Sequence, residues 1–327
     1  VMSSSWVVPG LVGPGLSALV TSTLGWRWVF AGLIPLVVFA ALMTLPALRQ
    51  FPPTDASRAH AVTRRTTDPM LVAIGLGLVV GGLTNARDTW PLLLSALGVA
   101  VAGPALVRLS PVGTLRLRGG APAAIALNLV INFAFFATDA FVPLAVTDVR
   151  HRAVGFAGLA LTTGALSWTV GAWVTARLNE RVSAAVRVRF GFVCVGVGVA
   201  LVLVGLEPGV PILIFPAAWV VAGLGMGLGY QGLALTVLND GATDDDNSGP
   251  AGTIVAARQV FDVVGTALGT GIAGACVAIA SAGGHSTKSG LTVTFGVMIA
   301  VALFGAAVSG RVQPQSTPVD ASPAPLP

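Results

Sequence analysis

The sequence predicts an all-α polytopic membrane protein. Of its 327 residues 54% are hydrophobic and only 9% are charged, where a soluble domain carries roughly 25% charged residues. The mean hydropathy is +0.86. The apolar residues are also gathered into runs of about 20, the length that crosses a bilayer as a helix. Together these observations exclude an ordinary soluble globular protein, a disordered chain and a nucleic-acid binder. The net charge of +5, spread over many loops, reads as a topology signal and not as a nucleic-acid footprint. Cys194 and Cys276 both sit in apolar runs, where two thiols make no disulfide framework and no metal cluster.

Ten runs qualify as spans: 4–22, 29–48, 70–86, 90–107, 121–146, 154–176, 190–206, 211–238, 251–281 and 289–310. They leave little chain for a soluble domain. The first run carries Pro9, Gly10, Gly13, Pro14, Ser17 and Ala18. Its prolines remove helix hydrogen bonds and bend the backbone, and its small residues permit close helix contact. With no basic segment before it, this run is not expected to be a signal peptide. A chain that opens on Val1 is expected to be a fragment or the product of a non-standard start codon. After the second run, 49–69 is basic and is expected as a cytoplasmic loop. The runs 70–86 and 90–107 form a hairpin about the turn Asn85–Asp88. Further on, Glu207–Gly209 marks another tight turn. The tail 311–327 contains five prolines and is expected to be disordered.

Orientation follows from the basic residues. With residue 1 on the cytoplasmic side, the inner segments and helix mouths hold Arg49, Arg58, Arg64, Arg65, Arg108, Arg116, Arg118, Arg177, Arg181, Arg187, Arg189, Arg258 and Arg311. The outer segments hold Arg27, Arg87, Arg150, Arg152 and Lys288. The opposite orientation inverts this imbalance. Two places run against the rule: the basic outer stretch Asp148–Arg152 and the acidic inner loop Asp240–Asp246.

Polar groups inside the spans are the candidate chemistry, because an ionisable side chain near the bilayer centre costs about 2.5–3.5 kcal/mol on insertion scales. In the fifth run Asn132 lies ~40° and Asp139 ~20° around the helix from Asn128. These three form one narrow stripe with Phe135 between them. It should face a water-filled cavity or a neighbouring helix. In the ninth run Arg258, Gln259, Asp262 and Thr266 form a second set. Arg258 and Asp262 stand one turn apart, so an ion pair between them is expected, although this order is the less favourable one on a helix. It would either orient two bundles or take part in a gate or proton relay. Tyr230 and Gln231 are further polar candidates.

Several motifs are set aside. Gly227-Leu-Gly229-Tyr-Gln-Gly232 and Gly269-Thr-Gly271-Ile-Ala-Gly274 fit G-x-G-x-x-G, but a dinucleotide site needs a preceding strand in water. Inside apolar spans these glycines read as helix-packing contacts. Gly284–Ser289 lacks the glycine that a phosphate loop places before its lysine. His60, His151 and His285 fall in separate loops. No arrangement for an enzyme, a metal or a cofactor is found.

The order of features resembles the major facilitator superfamily, in particular its fourteen-helix drug–proton antiporters. The family's antiporter motif is roughly G-x-x-x-G-P-x-x-G-G. Gly13-Pro14 matches its central pair, Pro9 stands at the first glycine, and Ser17 and Ala18 stand at the last two. Gly25-Trp26-Arg27-Trp28-Val29-Phe30 resembles the segment that opens the family's sixth helix. Gly171 to Arg181, including Arg177, resembles a degraded copy of the family's loop motif, with Thr175 at the usual Asp position. The resemblance implies a major-facilitator-type helix bundle. Residues 1–48 would be the last two helices of the N-terminal bundle, with the first four helices absent. Residues 49–69 would be the central loop, 70–107 the two extra helices, and 108–310 the C-terminal six-helix bundle. It also implies alternating access in a bacterial cytoplasmic membrane, with protons and a small molecule as partners. Asn128, Asn132 and Asp139 would border the central cavity, and proton uptake by a membrane-embedded acid would be the coupling event. The alternatives are a metabolite or sugar uniporter or symporter of the same fold, or a truncated membrane protein that transports nothing.

Overall fold

The computed structural model describes residues 13, 16–17, 19–21, 23–48, 56–84, 89–179, 181–242 and 251–313. Of residues 47–48, 56–66, 89, 241–242 and 251–253 it describes the backbone alone. The described residues form helices and turns without a strand. Nine of the helical segments are long and apolar enough to cross a membrane: Trp26–Pro46, Thr67–Thr84, Trp90–Leu109, Ala121–Val149, Val154–Leu178, Ala184–Gly205, Ile214–Asp240, Ile254–Ala282 and Thr287–Val312. They correspond one to one with the second to tenth expected runs. The first run lies largely outside the described residues. So do the turn Asn85–Asp88, most of the acidic loop and nearly all of the tail.

In chain order the helices are α1 (Trp26–Ala31), α2 (Leu33–Leu48), α3 (Ala56–Thr84), α4 (Thr89–Leu109), α5 (Ala121–Leu144), α6 (Val154–Leu178), α7 (Ala184–Gly205), α8 (Ile214–Ala242), α9 (Ala251–Ala282) and α10 (Thr287–Val308). Two begin well before the point that hydropathy predicts. Helix α3 starts at Ala56, within the stretch expected as a loop. Helix α7 starts at Ala184, which makes Arg187 and Arg189 helical. Hydropathy marks where side chains become apolar. The backbone ladder of a helix continues past that point until a residue such as Ser183 ends it.

Helix α8 is the centre of the bundle. It packs on α6, α7 and α5, while α5 also packs on α9 and α10, and α7 on α10. Glycines make this closeness possible. A Cβ on Gly227 would stand 2.5 Å from Gly171 Cα, and one on Gly225 would stand 2.6 Å from the Gly191 carbonyl oxygen. The first G-x-G-x-x-G run is therefore a helix seam. The second faces α5 and α3, with Gly269 against Phe133 and Gly271 against Val80. Trp219, Phe192, Phe215 and Phe295 are fully buried in the main core. The α3–α4 hairpin docks on α9 through a smaller core of Val72, Leu76, Ala105 and Val264. In α1 and α2, Trp26–Pro46 contains no buried residue. At its start Gly25 takes φ +93°, a conformation that glycine adopts without a Cβ clash.

One charge in each of the two places that run against the orientation rule has local work. The Arg150 guanidinium donates from Nη1 to the Gly205 carbonyl (2.5 Å) and from Nη2 to the Val210 carbonyl (2.6 Å). It thereby caps the carbonyl end of α7, where a cation is favoured. The Asp240 carboxylate accepts from the Ala121 N–H at 2.6 Å, at the amide end of α5, where an anion is favoured.

Candidate functional site: a carboxylate cluster and an aromatic column

Helices α5, α8 and α9 converge on Asp262. Asn128 and Asn132 of α5 are buried, and both donate through Nδ2 to Asp262 Oδ1, Asn132 at 2.8 Å. Asn132 Nδ2 also donates to the Asn128 carbonyl at 2.7 Å. From α8, the Tyr230 hydroxyl donates to Asp262 Oδ2 at 2.8 Å. One carboxylate thus collects donors from two neighbouring helices, and both of its oxygens are engaged.

The expected ion pair is corrected here. Among the described residues the salt bridges within 4.0 Å are Arg108–Asp68 and Lys288–Glu207, and Arg258 does not come that close to Asp262. Its guanidinium instead lies 4.5 Å from the centre of the Tyr230 ring and reaches Asn128 Oδ1 from Nη2 at 3.4 Å. Two causes act together. The carboxylate oxygens are taken by three neutral donors, and the aromatic face offers the flat guanidinium a cation–π contact. The Arg258 Nε is buried with no hydrogen-bond partner.

The stripe on α5 is present but divides in its partners. Asn128 and Asn132 bond Asp262 of α9, whereas Asp139 accepts at Oδ1 from the indole N–H of Trp219 of α8 at 2.8 Å. The structure extends the span to Val149 through a π-turn over Ala145–Val149. Asp139 therefore lies ~15 Å from the end of its span, at 1.5 Å per residue. Pro143, one turn on, has no N–H to offer the Asp139 carbonyl.

Aromatic rings join the two carboxylates. The Phe135 ring stacks on Trp219, with centroids 5.5 Å apart and planes 19° apart. It meets Trp168 of α6 edge-on at 5.7 Å, and Trp168 meets Tyr230 edge-on at 5.6 Å. The order is Asp139, Trp219, Phe135, Trp168, Tyr230, Asp262. The sequence reading missed Trp168 and Trp219 because tryptophan in an apolar run scores as one more core residue. A usable signal existed, since a buried indole N–H needs an acceptor and Asp139 is one of few in the spans.

Other candidates fall elsewhere. Gln259 is exposed on α9. Gly171 packs on α8, and Thr175 is buried and donates to the Gly227 carbonyl at 3.0 Å. Arg177 and Arg181 are exposed. The loop-motif remnant therefore serves the α6–α8 seam at Gly171 and Thr175. Of the kinked-helix residues, Gly13 and Ser17 are helical and half-buried, while Pro9, Gly10, Pro14 and Ala18 lie outside the described residues. Among the described residues, no three His, Cys, Asp or Glu side chains group as a metal site would require.

Comparison with known proteins agrees with this architecture. The chain is 27% identical over 321 residues to a probable multidrug-efflux transporter of Mycobacterium tuberculosis, a match covering 91% of this chain and 65% of the relative. It is 25% identical to an uncharacterized transporter of Escherichia coli, over 80% of this chain and 58% of that protein. A further Mycobacterium tuberculosis protein, an uncharacterized transporter of the same superfamily type, is 27% identical over 84% of this chain and 40% of its own length. The chain thus spans less than two thirds of the length of these curated relatives. The family model described as Major Facilitator Superfamily matches residues 1–270, and with this match over most of a chain of membrane-spanning helices, the protein belongs to the major facilitator superfamily.

Proposed function

We propose that this chain forms part of a proton-coupled exporter of amphipathic drugs or metabolites, of the fourteen-helix branch, in a bacterial cytoplasmic membrane. The observation that carries the reading is Asp262, a carboxylate within a membrane-spanning helix whose oxygens are held by α5 and α8 together. Protonation would turn one acceptor oxygen into a donor. The Tyr230 hydroxyl, which now donates to that carboxylate, would have to turn away or accept instead. A single proton would thus alter the contact between three helices, which is what a two-state carrier requires of its coupling site. Asp139 at the other end of the aromatic column is a second site of the same kind. The rings between them supply flat apolar faces suited to an aromatic or cationic compound. The α3–α4 hairpin between α2 and α5 supports the fourteen-helix branch, and the efflux relative from Mycobacterium tuberculosis supports export.

The test uses the full-length gene product in inverted membrane vesicles. An imposed proton gradient should drive dye accumulation, and a protonophore should abolish it. Accumulation that is indifferent to the gradient would remove proton coupling and leave the uniporter reading.

A further inference from the structure

Arg187 is 4% exposed, and its Nε and Nη1 are buried with no hydrogen-bond partner. A buried guanidinium without a partner is costly, and proteins retain one where something anionic meets it. Its position adds to the anomaly. Arg187 lies in the first turn of α7, a 22-residue helix, where the unbonded amides already carry positive potential. No acidic residue stands in that turn, and the N-cap Ser183 makes no side-chain capping bond. Helical side chains in general lean toward the N-terminus of their own helix, which for Arg187 is the side of those amides. Across the seam, Gly232 of α8 faces this turn: a Cβ there would stand 3.2 Å from Val188 Cγ2 and 3.9 Å from Arg187 Cβ. Beside this corner Arg189 donates from Nε to Ser309 Oγ at 3.2 Å.

The geometry points to an anion site: we propose that the corner where α7 begins binds a phosphate-bearing group, with Arg187 as the central donor and the first amides of α7 completing the shell. The two sources of that chemistry are the headgroup of an anionic phospholipid and free inorganic phosphate. This site is separate from the carboxylate cluster and stands or falls independently of the transport reading.

The full chain is placed in phosphate-free maltoside detergent micelles alone, in micelles with phosphatidylglycerol added, and in micelles with inorganic phosphate added. Thermal unfolding of wild type, Arg187→Met and Arg187→Lys is compared. In wild type, phosphatidylglycerol or phosphate should raise the midpoint, and whichever does so identifies the source. Arg187→Met should lose that rise. Arg187→Lys should keep a reduced one, because it retains the charge without the guanidinium fork. In maltoside alone Arg187→Met should unfold at or above the wild-type temperature, since it removes a buried charge that has nothing to pair with. The proposal is overturned if neither anion shifts wild type, if the shift survives in Arg187→Met, or if Arg187→Met is markedly less stable in maltoside alone.

Discussion

Replacing Asp262 by Ala and by Asn separates the hydrogen bonds its carboxylate accepts from the charge it carries. Asp262→Ala leaves the Nδ2 groups of Asn128 and Asn132 and the Tyr230 hydroxyl without their acceptor. Polar contacts between helices within a membrane average about 0.6 kcal/mol and reach about 1.7, so three of them amount to about 2 kcal/mol, with an upper bound near 5. Asp262→Asn keeps an acceptor oxygen for the two asparagines, and its Nδ2 can donate to a rotated Tyr230 hydroxyl. Its cost through these bonds should stay within about 1 kcal/mol. Both variants remove the negative charge near Arg258, so that effect cancels between them and the difference reports the hydrogen bonds together with the cavity that truncation to Ala leaves. Thermal unfolding in one detergent measures the difference, and vesicle efflux by the full-length gene product measures coupling. Asp262→Ala should unfold well below Asp262→Asn, and neither should couple efflux to protons. Equal stability of the two variants would refute the hydrogen-bond reasoning, and gradient-driven efflux by Asp262→Asn would refute the coupling role.

Two further predictions concern the column and the seam. Asp139→Asn should fold normally and lose proton-driven export, whereas Trp219→Phe should lose the indole donor, costing about 1 kcal/mol, and further stability through the cavity that the smaller ring leaves at a fully buried position; export at the wild-type level in Asp139→Asn would reject a coupling role for that acid. Gly227→Ala should destabilise by about 1–3 kcal/mol, because its Cβ would meet the backbone of Gly171 and Trp168. Gly77→Ala, with nothing within 4 Å, should not; equal unfolding temperatures for the two would show that the α6–α8 seam yields freely.

Residue roles divide by the range of the physics behind them. Spans from 29 to 310 were legible because the bilayer demands long apolar runs irrespective of how helices pack. The helix ends were less so: α7 reaches back to Ala184 because backbone bonding outlasts apolarity. Asn128, Asn132, Asp139 and Asp262 were picked out because polar groups inside a span are costly enough to be rare. Their partners were not, since Asp262 lies 130 residues from Asn132 and no local spacing encodes that meeting.

By itself, then, the sequence determined that the chain is a bundle of membrane-crossing helices, and which few residues carry polar atoms into it. Hydropathy and helical periodicity act within about 20 residues, and both questions are settled at that range. Only the tertiary structure decided that Arg258 turns to the Tyr230 ring instead of to its neighbour one turn away. It also decided that Trp168 and Trp219 link two acids, and that Arg187 is buried without a partner. Each of those outcomes depends on which helix stands opposite, and that is set by close packing along glycine seams between segments distant in the chain.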